Sequence, residues 1–183
     1  MDVRTAILTR RSAKRFLPDP IRRDSIERML EAAVRAPNHW LTEPWHFYVV
    51  MGTGRERVAE LRARQMRESG QTDPDRISRH TVEIRTIPAL IFVSARRGKS
   101  EQETHENRLA TAAAIMNMLL VAHEEGLGAI WRTGQFIHYE PLREFLGVPA
   151  DAEIIGQIYV GLPAEVRDTP RTPWQEKTSW ITE

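Results

Sequence analysis

The chain is organised around the stretch LATAAAIMNMLLVA, which runs from Leu109 to Ala122. We predict that this stretch belongs to a central helix over His105 to Glu125, ended by the cap residue Gly126. It is apolar on nearly every side, which predicts that most of its faces are buried. Many of its residues are small, so neighbouring helices can pack closely against it. In a chain of 183 residues, this much buried helix favours a subunit interface.

The composition is that of an ordinary globular protein. Apolar residues make up 41% of the chain and charged residues 28%, and the length suffices for one domain with a substantial core. The net charge of +1 argues against a dominant nucleic-acid surface, which needs a clear excess of basic residues. The chain contains no cysteine, which excludes disulfides, thiolate nucleophiles and cysteine-ligated metal centres.

The N-terminus and the apolar runs predict a cytoplasmic protein. Charged residues occur from Asp2 and Arg4 onward, which is not the pattern of a signal peptide. Thr111 and Asn117 interrupt the longest apolar run, which is shorter than the ~18 residues of a membrane span. We therefore expect a soluble protein that does not contact the membrane.

Strands and helices are mixed along the chain without regular alternation. A helix with a capping acid at Asp24 and a glutamate three residues later, Glu27, is expected to end before Pro37. Two charged helices are expected between residues 55 and 86, as either a mobile cover or the outer layer of the fold. Aromatic and β-branched runs predict buried strands at Trp45–Met51, Ala89–Ala95, Leu127–Gly134 and Glu153–Val160. This pattern favours an α+β layered sheet over a doubly wound one.

A basic turn at Arg10-Arg11-Ser12-Ala13-Lys14-Arg15-Phe16 follows a short amphipathic segment, Asp2 to Thr9. Four cations and one hydroxyl fall within residues 10–15. Arginine forks, a lysine and a hydroxyl suit a phosphate group, which needs several directed donors and positive charge. The alternative is a solvated basic patch, since runs of charge usually face solvent.

Two further clusters lie at the ends of predicted elements, where binding groups usually sit. One is the loop from Arg35 to Thr42, and the other is Trp131-Arg132-Thr133. Each also has an ordinary structural interpretation: a charge at a helix end, a surface histidine at His39, and a core tryptophan.

Motifs of other enzyme classes are absent. Gly52-Thr53-Gly54 lacks the glycine that would complete a dinucleotide fingerprint, because position 57 is Arg57. No H-E-x-x-H metal motif and no G-x-S-x-G nucleophile elbow is present. We therefore predict neither a metal site nor a catalytic side chain.

Taken together, these segments resemble the FMN-dependent nitroreductase family, in its compact branch of NAD(P)H nitroreductases. The similarity covers residues 1–163, and residues 164–183 are expected to form an arm that packs on the partner subunit. It rests on the turn at 10–16, Arg35-Ala36-Pro37, Pro44-Trp45-His46-Phe47, the alanine-rich central helix and Gly128-Ala129-Ile130-Trp131-Arg132-Thr133-Gly134.

The resemblance implies an intertwined α+β homodimer, with a central, mostly antiparallel sheet and two FMN sites at the subunit interface. The FMN contacts that it implies are Arg10, Arg11, Ser12 and Lys14 for the phosphate and ribityl chain, Arg35 and His39 against the ring system, and Trp131, Arg132 and Thr133 from the sheet side. Arg35 is expected to reach the flavin of the other subunit. The resemblance also links the nicotinamide nucleotide to Val121, Ala122, His123, Glu124, Glu125 and Gly126.

The implied activity is hydride transfer from NADPH or NADH to FMN, followed by electron transfer to a nitroaromatic, a quinone or a similar conjugated acceptor by a ping-pong mechanism. The cofactor carries the chemistry, which agrees with the lack of a catalytic dyad. Many family members carry Ser-Ser-x-Asn-x-Gln before Pro-Trp, where this chain has Asn38 to Glu43, so the acceptor stays open. The alternatives are enone reduction, dehalogenation or flavin destruction on the same fold, a non-catalytic flavin-binding protein, and an interaction domain without flavin.

Overall fold

A single four-stranded sheet forms the centre of the molecule, in a computed structural model that describes residues 1–183. The strands are β1 (Trp45–Met51), β2 (Ala89–Arg96), β3 (Gly128–Arg132) and β4 (Ala152–Gly161). They are all antiparallel and lie in the order β1-β2-β4-β3. The helices are α1 (Val3–Thr9), α2 (Arg23–Ala33), α3 (Gly54–Glu68), α4 (Pro74–Thr86), α5 (Glu101–Glu124) and α6 (Glu140–Leu146). The α+β layered sheet predicted from the sequence is therefore confirmed.

The two faces of the sheet carry separate cores, because successive side chains of a strand point to opposite faces. Along β2, Ile91 and Val93 pack with α2 and α5, whereas Leu90 and Phe92 pack with α3, α4 and α6. Burial of each such side chain contributes about 1.5–3 kcal/mol relative to exposure. The α3–α4 pair buries Val58 and Ile84 in the second core, so it belongs to the outer layer of the fold.

The start of α5 differs from the sequence prediction. The helix begins at Glu101 rather than at His105, because the Ser100 hydroxyl accepts a hydrogen bond from the Glu103 backbone N–H (3.1 Å). The Glu103 carboxylate in turn accepts from the Lys99 backbone N–H (2.8 Å). Ser100 and Glu103 have the spacing of a capping box, so this signal was present in the sequence.

The start of α2 also differs. The capping role predicted for Asp24 is wrong, because the N-cap position is occupied by Arg22 and has no side-chain hydrogen bond. Asp24 lies in the first turn, where its carboxylate accepts hydrogen bonds from the Arg22 guanidinium (2.9 Å to Nε). An acid in the first turn still interacts favourably with the helix dipole.

Several large apolar side chains are exposed in the single chain. On α5, Leu109 is 57% exposed, so one side of the central helix is open in the single chain. Trp180 and Ile181 near the C-terminus are 76% and 91% exposed. None of the helices combines the length and the apolarity that crossing a membrane requires.

Candidate functional site

The basic turn at 10–16 lies along the outer edge of β3. Ser12 forms an isolated parallel bridge with Ala129, and the Ala13 backbone N–H donates to the Ala129 carbonyl (3.2 Å). This approach requires a glycine at position 128, since a Cβ atom on Gly128 would lie 2.6 Å from the Cβ atom of Ala13. The Leu17 N–H then donates to the Leu162 carbonyl (2.9 Å), which fixes the end of the turn.

Arg10 carries a guanidinium nitrogen that lacks a partner. Its Nη1 atom is buried and makes no hydrogen bond to the protein. Burial lowers the pKa of Arg10, and the nearby charges of Arg171 and Arg11 lower it further. A buried donor without an acceptor is rare and costs about 1–3 kcal/mol. The crowding of three arginines therefore indicates a place for an anion.

The C-terminal segment completes this basic region. The Arg11 Nε atom donates to the Asp168 carboxylate (2.7 Å), and the Ala164 N–H donates to the Arg15 carbonyl (3.0 Å). A cavity of about 130 Å³ is lined by Arg11, Ser12, Lys14, Glu165, Arg167, Thr169 and Arg171. Sequence reasoning missed Arg167 and Arg171, although two cations in a short polar segment are a visible signal.

Trp131, Arg132 and Thr133 lie at the end of β3. The Trp131 indole lies directly over Gly156 of β4, where a Cβ atom would be 2.0 Å from the indole Nε1 atom. That Nε1 atom is buried and has no hydrogen-bond partner. Arg132 turns to the opposite face of the sheet, where it donates to the Glu83 carboxylate (2.7 Å) and lies over the Tyr159 ring (4.6 Å to the centroid).

Arg35 and His39 lie in the segment between α2 and β1. Arg35 is exposed just after α2, and the His39 Nδ1 atom lies 2.7 Å from the Glu106 carboxylate at the start of α5. No hydrogen bond or ion pair joins either residue to Trp131–Thr133 within one chain. The single flavin site that the sequence analysis implies for these residues therefore stays a prediction.

The loop that follows His39 has an unusual backbone. Trp40, Leu41 and Glu43 have φ values of 57°, 51° and 43°, the left-handed region that residues other than glycine rarely adopt. The side chain of Asn38 holds the loop by accepting from the Glu43 N–H (3.0 Å). Trp40 is 81% exposed, so the loop carries an aromatic ring on the surface of the single chain.

Residues 121–126 close α5 beside the basic turn. The polar side chains of this segment contact other parts of the chain: His123 lies 2.8 Å from the Thr9 hydroxyl, Glu124 pairs with the N-terminal amine (3.2 Å), and Glu125 accepts from Arg28. His123 and Gly126 also line a cavity of about 210 Å³ that they share with Arg11, Ser12, Ala13 and Gly128. The segment therefore lies next to the basic turn and at the opposite end of β3 from Arg132.

Solved structures share this architecture. A nitroreductase-like family protein from Bacillus cereus superposes with a TM-score of 0.87 at 26% sequence identity, covering 100% of this chain and 97% of that one. A protein from Desulfovibrio desulfuricans, solved in complex with FMN, gives a TM-score of 0.78 at 26% identity over 100% and 98% of the two chains. The fold is thus nitroreductase-like.

Sequence comparison assigns the family. Residues 7–162 match the nitroreductase family, so the chain belongs to it. A relative from Escherichia coli (strain K12), named "Putative NAD(P)H nitroreductase YdjA", is 30% identical over 164 residues, which cover 89% of either protein. The family resemblance drawn from the sequence is therefore confirmed.

Proposed function

We propose that this protein is an FMN-dependent oxidoreductase that takes hydride from NADPH or NADH and passes electrons to a nitroaromatic, a quinone or a similar conjugated acceptor by a ping-pong mechanism. The nitroreductase family match, the D. desulfuricans relative solved with FMN and the name of the E. coli relative support this proposal. The observation that carries it is the buried, partnerless Nη1 atom of Arg10 within a cluster of arginines.

The residues of the basic turn fit the phosphate of FMN. A phosphate monoester is dianionic at neutral pH and accepts hydrogen bonds on three oxygens. Arg10, Arg11, Ser12 and Lys14 supply cationic donors and a hydroxyl on one short segment, and Arg171 adds a cation from the C-terminal arm. A bound phosphate would stabilise this region, because its negative charge would offset the mutual repulsion of these arginines.

The end of β3 fits the ring system of the flavin. The buried Nε1 atom of Trp131 has no acceptor, and Thr133, two residues further along the chain, is exposed. The side chain of Arg132 is engaged with Glu83, so its main chain is the part that remains for the cofactor. When bound, the flavin accepts hydride at N5 and delivers electrons to the acceptor. The protein residues orient the ring and hold a donor near N5 or O4.

The nicotinamide nucleotide contact proposed for residues 121–126 rests on the cavity beside His123 and Gly126. The side chains of Glu124 and Glu125 already pair with cations of the same chain. Main-chain atoms of Gly126 and the imidazole of His123 are therefore the groups that we expect to contact the nucleotide.

We further propose that the protein is a homodimer and that Arg35 and His39 act on the flavin of the partner. Four separate segments expose large apolar side chains in the single chain, at Ile7 and Leu8, at Trp40 and Leu41, at Leu109 and Met116, and at Trp174, Trp180 and Ile181. Exposed apolar surface on this scale marks protein interfaces. The arm at 164–183 would supply the last of these segments to the partner subunit.

The test begins with the visible spectrum of the purified protein. We expect the two absorption bands of oxidised flavin, either as isolated or after addition of FMN, and their loss when NADPH is added anaerobically. Addition of a nitroaromatic or a quinone should then restore the bands. A colourless protein that takes up no FMN would contradict the proposal.

A matched pair of variants links the spectrum to the basic turn. Arg10→Gln removes the partnerless guanidinium, whereas Arg15→Gln removes a guanidinium of the same turn that is 73% exposed. We expect FMN binding to weaken only in Arg10→Gln. Equal FMN affinity in the two variants would show that Arg10 does not hold the phosphate.

A further inference from the structure

A polar groove on the α3–α4 side of the sheet lies outside the proposed flavin contacts. Two adjoining cavities of about 370 Å³ each form the groove, and both are lined by Arg62, His80 and Gln135. One of them opens beside Trp131 to Gly134, and the other lies over Arg76 on α4. The groove therefore begins where the flavin ring is proposed to lie and extends away between the two helices.

The groove contains more positive than negative charge. Arg62, Arg76 and Arg132 line it, no carboxylate does, and Glu83 lies nearby on α4. Glu83 is held by Arg132, with Oε1 and Nη2 2.7 Å apart. Two arginines therefore remain without an acidic partner, and His80 lies 3.9 Å from Glu83.

Arg62 is half-buried and lacks a counterion. Its Nη1 atom donates to the Gln65 amide oxygen (2.8 Å), and its guanidinium lies 5.3 Å from the centroid of the Phe136 ring. Burial lowers the pKa of Arg62, as it lowers the pKa of His80. Burying a cation without an anion is unfavourable, so the structure contains positive charge that a bound anion would neutralise.

We propose that Arg62, Arg76 and His80 form a subsite for an oxyanion, a phosphate or a carboxylate, carried by a molecule that reacts beside Trp131–Thr133. The inference rests on the proposed function, because it takes the reacting ring to lie at that end of the groove. Arginine forks bind both kinds of oxyanion with paired hydrogen bonds. The anion has two chemical sources. One is a carboxylate on the electron acceptor. The other is the 2′-phosphate of NADPH, in which case the dinucleotide would extend into the groove in place of the contact proposed at residues 121–126.

The first experiment measures binding without any turnover. Inorganic phosphate is titrated into the purified protein, and the ring resonances of His80, assigned with His80→Asn, are followed by NMR. We expect a saturable shift that Arg62→Gln abolishes. Arg79→Gln removes the same charge from α4 outside the groove, and it should leave the shift unchanged. This readout does not require flavin, so it separates the subsite from the proposed function.

The second experiment identifies the source of the anion. Flavin reduction is compared for NADPH and NADH, which differ in the 2′-phosphate, and reoxidation is compared for 4-nitrobenzoate and 4-nitrotoluene, which differ in the carboxylate. We expect Arg62→Gln and Arg76→Gln to lower kcat/KM about tenfold for the anionic member of one pair, which corresponds to ~1.4 kcal/mol. The uncharged member of that pair should change less than about twofold.

Two results would overturn the proposal. One is a His80 signal that phosphate does not shift, or that it shifts equally in Arg62→Gln and Arg79→Gln. The other is an equal loss of kcat/KM for the charged and uncharged members of both pairs, since that pattern reports a structural role of the arginines.

Discussion

Two cationic regions of the molecule have the same arrangement of charges: one arginine is paired with a carboxylate and another has no acidic partner. The two regions are formed from different parts of the chain. In the basic turn, Arg11 is paired with Asp168 and the Arg10 Nη1 atom has no partner. In the α3–α4 groove, Arg132 is paired with Glu83 and Arg62 has no acidic partner. The turn is one continuous segment joined by the C-terminal arm, whereas the groove combines residues from two helices and one strand.

The two regions differ in how far we expect each to depend on the partner subunit. The basic turn lies on the edge of the sheet, next to an arm whose last residues are exposed. The groove is lined by residues of one chain, and the pair between Glu83 and Arg132 joins α4 directly to β3. We therefore expect the turn to depend on subunit assembly and the groove to be independent of it.

Deletion of residues 172–183 tests this dependence and has the largest expected effect. Trp174 and Trp180 are each more than half exposed in the single chain, and a buried interface tryptophan contributes about 2 kcal/mol or more. Loss of both is expected to weaken the proposed dimer about 1,000-fold or more, as measured by analytical ultracentrifugation. The phosphate-induced shift of His80 should persist, since the groove is complete within one chain.

The full-length protein with Asp168→Asn provides the control for this deletion, because it retains both tryptophans. An unchanged dimer in the truncated protein would contradict the proposal that the arm packs on the partner. Loss of the His80 shift in the truncated monomer would contradict the independence of the groove.

Arg10→Gln is expected to have the next largest effect. A hydrogen bond to a charged group contributes about 1.5–3 kcal/mol, so the FMN dissociation constant should rise about 10–150-fold. Riboflavin, which lacks the phosphate, should bind the variant and the natural protein equally. Fluorescence titration with both ligands separates a phosphate contact from general damage to the site, which would weaken riboflavin binding as well.

The sequence predicted the basic turn because its cations are neighbours in the chain, and it did not predict the groove. Arg62 and Arg132 are separated by the end of α3 and by α4, β2 and α5, and only the folded chain brings them together. The sequence around Arg62 predicts only a charge on a solvated helix, as it also does for Arg76 and Glu83. Likewise, Arg171 comes near Arg10 only because the arm turns back along the sheet edge.

The elements themselves were predictable where local signals were strong. All four strands lie within a few residues of the predicted bounds, since apolar runs mark them. The capping signal at Ser100 was real, whereas the one at Asp24 was not, because Arg22 and Arg28 bind that carboxylate instead. At α2, the two neighbouring cations thus bind the acid that the cap motif would have used.

Gly156→Ala tests whether Trp131, near the end of β3 and between the two cationic regions, is packed against β4. The added Cβ atom would lie 2.0 Å from the Trp131 Nε1 atom, so the indole must move. Overpacking of this kind costs about 1–3 kcal/mol, which urea denaturation would detect. Gly134→Ala is the matched control, because its Cβ atom would have nothing within 4 Å. Equal stability of the two variants would show that Trp131 is not fixed against β4.

Asp168→Asn is expected to have the smallest effect, since the pair with Arg11 is exposed. The Arg11 guanidinium lowers the pKa of Asp168 below its unfolded value of about 3.9. The contribution of the pair is therefore fully present above that pH and is lost as the pH falls through the lower native pKa. Docking of the arm should be constant from about pH 8 to pH 5, and hydrogen exchange of residues 164–171 would measure it.

At pH 8, Asp168→Asn should loosen the arm and speed tryptic cleavage at Arg167 and Arg171. The comparison variant is Glu165→Gln, which affects the longer contact to Arg15 (3.7 Å) and should speed cleavage less. If both variants are cleaved at the rate of the natural protein, backbone contacts such as Ala164 N–H to the Arg15 carbonyl hold the arm by themselves. The arm would then supply Arg171 to the basic turn without help from the Arg11 pair, and the two cationic regions would no longer share the same arrangement.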